Sequence, residues 1–182
     1  MSINYGIIST SSITPRFIAA ARNSKDSHVL ALASRNLEKA REKAEQWQIP
    51  RAYGSYEELM ADPDIHVIYI STINSLHYTY ARMALETGHH VLCEKPFTLS
   101  EAQSRELFAL AREKGRFIME AEKVVFLPVM QEIKSRIHAG ELGRITMADF
   151  SSSFDPGYNN WFSMHPKAAV PSMEMPSTAC SF

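Results

Sequence analysis

An excess of charge of either sign is the first thing this chain lacks: 19 Lys and Arg stand against 20 Asp and Glu, a formal net charge of −1. A surface so balanced exerts no bulk electrostatic pull on nucleic acid or on an anionic membrane. Cysteine is scarce as well. Cys93 and Cys180 have no metal-ligand spacing, and the seven histidines form no i, i+4 pair with a carboxylate, so the sequence offers no metal centre. Long apolar runs are also absent. The chain enters a strand-like run from Ile3 to Ile8 without the charged leader and apolar core of a signal peptide, and no membrane span is readable. The expected compartment is the reducing cytoplasm. What remains is an ordinary globular composition, 45% hydrophobic and 21% charged over 182 residues, enough for one domain and part of another.

Short apolar, β-rich runs alternate with stretches of helical period. Tyr5 to Ile8, Val29 to Ala33, Val67 to Ile70, Val91 to Cys93 and Phe117 to Met119 are expected as buried strands. Between them Leu37, Ala40, Ala44 and Trp47 share one helical face, Leu76, Tyr80, Met83 and Ala84 a second, and Leu107, Leu110 and Ala111 a third. Ser55-Tyr56-Glu57-Glu58 and Ser100-Glu101-Ala102-Gln103 fit the capping box, while Gly88 and Gly115 stop helices. Five strands joined by helices must cross over right-handedly, which predicts an α/β fold with a doubly wound parallel sheet. After Pro128 an amphipathic segment (Val129, Ile133, Ile137) runs to a Gly140-Glu141-Leu142-Gly143 turn, and Ile145 to Phe154 reads as a strand opening an incomplete α+β second domain.

In such a sheet ligands bind beyond the carboxyl ends of the strands, so the residues there are the candidates for chemistry. Glu94-Lys95-Pro96 follows the strand that ends at Cys93. An ammonium there can hydrogen-bond a substrate hydroxyl or carbonyl, and Pro96 fixes the turn that aims it. Taken alone, the same triplet is more often a helix-preceding turn with a solvated lysine.

The first strand-to-helix turn should carry the phosphate site, yet the glycines of G-x-G-x-x-G are missing. Ser9, Ser11 and Thr14 stand in their places, within a stretch that also includes Thr10, Ser12 and Ile13. Serine is small and can bond phosphate, and a helix N-terminus still offers unpaired N–H groups; a Cβ at the second position would press on the pyrophosphate. The alternative is a polar helix cap. At the end of the second strand Ser34 and Arg35 replace the acidic residue expected for a ribose diol, and a guanidinium suits a 2′-phosphate; alternatively Arg35 is solvated and Asn36 caps the next helix.

In order and spacing, Gly6-Ile7-Ile8-Ser9-Thr10-Ser11, Ala33-Ser34-Arg35, Ser71-Thr72-Ile73-Asn74-Ser75-Leu76-His77, Glu94-Lys95-Pro96, Met119-Glu120-Ala121 and Gly140-Glu141-Leu142-Gly143 resemble the N-terminal half of the Gfo/Idh/MocA oxidoreductases, the glucose-fructose oxidoreductase and inositol dehydrogenase family, from Asn4 to about Trp161. The resemblance implies a Rossmann fold and hydride transfer between NAD(P) and a small-molecule sugar, polyol or related carbinol, and Ser34 with Arg35 makes NADP the expected cofactor, with NAD as the alternative. It implies that Lys95 sits beside nicotinamide and substrate, across a Lys95–Pro96 bond of the cis kind. It makes Ser71, Thr72, Asn74 and His77 wall residues for ribose and nicotinamide, with proton transfer by His77 as a minor role. Glu94 and Glu120 are implied at the cofactor site, Glu120 lining it or pairing with Lys95.

The expected organisation is a dinucleotide-binding domain over 1–122, the start of a truncated substrate domain over 123–162, and a non-native tail over 163–182. In that tail Pro166, Pro171 and Pro176 alternate with methionines in no helical or strand pattern. Reading its codons one base earlier allows a Gly-Gly-Gly-Ala run of the kind with which the family enters its second domain, so the tail is expected to be an out-of-frame translation. A dehydrogenase ending there is expected to turn over weakly or not at all, because proximity and water exclusion need both walls of the cleft. Homo-oligomers are expected of a full-length form only. The competing reading is a non-enzymatic cofactor-binding or sensor module on the same fold.

Overall fold

The computed structural model describes residues 2–149. Six parallel strands form one sheet: β1 (Ile3–Ile8), β2 (Ser27–Ala33), β3 (Arg51–Tyr53), β4 (Val67–Ile70), β5 (His90–Cys93) and β6 (Ile118–Glu120). Their order is β3-β2-β1-β4-β5-β6, so the chain winds outward one way and then, after β3, the other. The helices between them are α1 (Thr14–Arg22), α2 (Leu37–Gln46), α3 (Tyr56–Met60), α4 (His77–Glu86) and α5 (Glu101–Lys114). This is the expected doubly wound sheet, with one strand more than the sequence indicated. β3 has three residues, all half-buried, and pairs with β2 alone at the sheet edge, so it carries no apolar run to reveal it.

Strand alternation divides the core in two. Ile8, Ala33, Ile68, Ile70, Val91 and Cys93 pack with α3, α4 and α5, while Ile7, Leu32 and Tyr69 pack with Ile18 of α1 and Ala44 of α2. Gly6 belongs to this packing and not to a phosphate turn. A Cβ there would lie 2.7 Å from Leu59 Cδ2 and 2.9 Å from Ile65 Cδ1.

The caps follow the sequence. Ser55 Oγ accepts Glu58 N–H at 3.1 Å and Ser100 Oγ accepts Gln103 N–H at 3.4 Å. The return bonds reach one residue further back than in the standard box: Glu58 Oε2 accepts from Gly54 N and Gln103 Oε1 from Leu99 N. Asn36 caps α2 by accepting Lys39 N–H at 3.0 Å, and Gly115 closes α5 in the left-handed region at φ 62°.

The chain divides into two compact units, Met1–Leu127 and Pro128–Phe182. In the second, α6 (Pro128–His138) is the expected amphipathic helix, with Glu132 and Arg136 paired at 2.8 Å. Residues 145–149 carry no strand, so the described part of the strand expected from Ile145 to Phe154 is irregular; its remainder and the whole of 163–182 lie outside the described residues. No helix among the described residues is long and apolar enough to cross a membrane.

Candidate functional site

The candidate residues gather where β1, β2, β4, β5 and β6 end. At the end of β1, Ser9 has φ +92°, a conformation natural to glycine. Strain therefore sits at the first fingerprint position; Ser11, at the second, is not in the left-handed region. The turn is braced from below. Thr14, fully buried, has its hydroxyl 3.1 Å from Ser71 Oγ and 3.2 Å from Ser11 Oγ, and Ser71 Oγ donates to Ile8 O at 3.4 Å. Ser71 is itself buried, so its hydroxyl serves the turn. Thr10 and Ile13 are half-buried and Ser12 is exposed. Ile13 is the N-cap of α1 and contributes no side-chain capping bond; in the first turn Thr14 N–H donates to Ser11 O at 3.1 Å, Pro15 has no N–H, and Arg16 N–H donates to Ile13 O at 3.0 Å.

At the end of β2, Ser34 is buried and its hydroxyl accepts Asn36 N–H at 3.4 Å, shaping the turn. Arg35 is exposed and forms no ion pair among the described residues. No carboxylate stands between β2 and Asn36. The exposed Arg35 guanidinium can hold a phosphate group.

The end of the site beyond β5 is built around Lys95. The Lys95–Pro96 peptide is cis, and Lys95 is exposed. Three groups hold its turn. Glu120 Oε1 accepts Phe97 N–H at 2.8 Å, and among the described residues it makes no ion pair with Lys95. His77, 1% exposed, sets Nδ1 2.8 Å from Pro96 O and Nε2 3.1 Å from Thr72 O, so both ring nitrogens face backbone carbonyls and join the β4 turn to the Lys95–Pro96 turn. The ring presents no free nitrogen to a substrate. Thr72 and Asn74 are half-buried on that β4 turn.

The third holding group is Glu94, whose carboxylate the sequence placed at the cofactor. It is buried, accepts the Tyr69 hydroxyl at 2.7 Å and is 3.1 and 3.2 Å from Lys123 Nζ. Burial, then the Glu94 carboxylate, pushes the Tyr69 hydroxyl well above its ordinary value, so it remains a donor. Phe17 of α1 stacks on Tyr69 with centroids 3.8 Å apart. Tyr69 and Lys123 were not legible as site residues. The one signal was alternation: Tyr69 lies opposite Leu92 in the β4–β5 register, so Tyr69 and Glu94 share a face.

Among curated proteins, trans-1,2-dihydrobenzene-1,2-diol dehydrogenase of Xenopus laevis is 44% identical over 147 residues, covering 80% of this chain and 44% of that protein. The enzyme of the same name from Homo sapiens is 38% identical over 157 residues, covering 84% and 47%. The chain thus spans less than half the length of these relatives. Among solved structures, an NAD-binding oxidoreductase from Klebsiella pneumoniae superposes with a TM-score of 0.75 at 32% identity, over 79% of this chain and 40% of that one. A 3-ketoreductase from Actinomadura kijaniata, in complex with NADP and TDP-benzene, superposes at 0.71 with 29% identity, over 77% and 43%. Residues 3–122 match the GFO_IDH_MocA family, oxidoreductases with an NAD-binding Rossmann fold, and the chain belongs to that family.

Proposed function

We propose that this chain is the nucleotide-binding part of an NADP-preferring oxidoreductase acting on a carbinol of the sugar, polyol or trans-diol class, the relatives' named diol being one member of it. The observation that carries the reading is the meeting, at one end of the sheet, of the strained Ser9 turn, an exposed Arg35 with no ion-pair partner among the described residues and an exposed Lys95 on a braced turn. The bound nucleotide would accept a hydride from the carbinol carbon on oxidation, or return one to the carbonyl carbon on reduction. The chain's own residues do the rest. The turn from Ser9 to Ile13, with Ser12 exposed on it, holds the pyrophosphate, Arg35 and Ser34 the 2′-phosphate, and Thr72 and Asn74 wall the ribose and nicotinamide. Lys95 Nζ donates a hydrogen bond to the substrate oxygen, which gains negative charge as a carbonyl is reduced, so the contact is stronger in the transition state than in the ground state. Glu94, Glu120 and His77 act on the turn and not on the substrate; for His77 that replaces proton transfer by bracing.

Calorimetric titration with NADPH and NADH tests the nucleotide reading. NADPH is expected to bind tighter, and Arg35→Ala should remove about 1.5 to 3 kcal/mol of that preference, the value of one charge-assisted phosphate contact. Equal affinities in both proteins would sink it. Turnover against a panel of trans-diols, sugars and polyols then separates an enzyme from a silent cofactor-binding module.

A further inference from the structure

The opposite end of the sheet, where β4 and β5 begin, holds a cavity of about 410 Å³ lined by His66, His89, His90 and Arg116, with Thr87 and Asp62. The backbone sets the hydrogens of two of these imidazoles. Nδ1 of His66 accepts Asn4 N–H at 3.0 Å, and Nδ1 of His90 accepts Phe117 N–H at 2.8 Å. A ring nitrogen that accepts carries no hydrogen, so in the neutral ring the proton is on Nε2. Each ring is therefore an N–H donor, and neither Nε2 has a protein partner among the described residues. His89 is arranged the other way. Thr87 Oγ1 donates to Met83 O at 2.9 Å, so His89 Nδ1, 3.0 Å from Oγ1, carries the hydrogen of that contact.

The charges of the lining do not cancel. Asp62 is its one carboxylate, and Arg51 at 2.6 Å, the Tyr53 hydroxyl at 2.8 Å and Asp64 N–H at 3.1 Å already hold it. Arg116 has no carboxylate partner among the described residues. Burial first, and then this unneutralised guanidinium, holds His89 and His90 below the ordinary imidazole value, with His66 beside His90 and Asp62 beside His89 as the other facing groups. The cleft thus joins a guanidinium with no ion-pair partner among the described residues to imidazole donors at the starts of β4 and β5, and the charge of its one carboxylate is offset by Arg51.

We propose that this cleft is a binding site for a tetrahedral oxyanion: a phosphate group, free or carried on a small ester. Donors converging from several elements match three phosphate oxygens better than the two of a planar carboxylate. The site is separate from the nucleotide turn, so it stands or falls independently of the cofactor reading.

Inorganic phosphate and glycerol phosphate, titrated into the full chain and followed by imidazole NMR resonances, test it. His66, His89 and His90 should shift together and saturate, and the tighter ligand tells free phosphate from ester. Arg116 is exposed, so Arg116→Gln leaves the fold intact and should weaken binding by at least about tenfold, the worth of one charge-assisted contact. Shifts that chloride reproduces at equal ionic strength, or that Arg116→Gln leaves unchanged, would overturn the proposal. So would shifts confined to the amides of residues 9–13, which would place the anion at the nucleotide turn alone.

Discussion

Ser9 shows how a residue's identity and its backbone can disagree. The turn needs a positive φ, and a side chain with a Cβ adopts one at a cost on the order of 1 to 3 kcal/mol. Ser9→Gly should therefore stabilise the chain by about 1 kcal/mol after the extra unfolded-state entropy of glycine, read as a higher denaturation midpoint. Ser9→Ala, still strained, should give no such gain. The Glu94 carboxylate makes the converse case. Tyr69→Phe removes one of its donors inside the protein and should cost about 1 to 3 kcal/mol, with Lys123 still in place. Lys95, Ser34 and Arg35 stand out in the sequence as candidates because each lies within two residues of a strand's carboxyl end, where the sheet presents residues to ligands. The Tyr69–Glu94–Lys123 cluster was not. Its members are separated by 25 and 29 residues, and only the parallel register of β4 on β5 brings them to one face.

At the scale of elements, legibility tracked length and burial. The central strands β1, β4 and β5 are short apolar runs because helices cover both of their faces, and α5 is bounded by Ser100 and Gly115. Edge strand β3 escaped, since Arg51-Ala52-Tyr53 pairs on one side only and needs no apolar pattern. Helix α5 offers the cleanest test of a boundary read from sequence. Ser100→Ala removes the acceptor for Gln103 N–H and should lower stability by about 1 kcal/mol, while Ser100→Asp should retain most of it. Denaturant midpoints of the two variants at equal slope decide the matter; equal losses would mean that the cap bond contributes nothing.

For the molecule as a whole, the groups at the base of the sheet set the response to acid. His89 and His90 are held below the ordinary imidazole value of 6.5, chiefly by burial, so the unfolded chain takes up their protons at a higher pH than the folded one does. Stability from this source is complete above about 6.5 and falls as the pH drops through the range between the unfolded and folded values, where the unfolded state binds more protons. A second loss follows at lower pH. Burial alone would raise the Asp62 carboxyl, but the bonds from Arg51, Tyr53 and Asp64 N–H outweigh it and hold Asp62 below its ordinary 3.8. Its contribution is present above that value and disappears as the pH falls through the depressed one. Denaturation midpoints taken from pH 8 to 3 should therefore fall in two steps. His89→Gln, which keeps an amide able to bond Thr87, should flatten the upper step and leave the lower one in place. Asp62→Asn should do the reverse. A single step unaffected by His89→Gln would show that the buried histidines do not couple to folding.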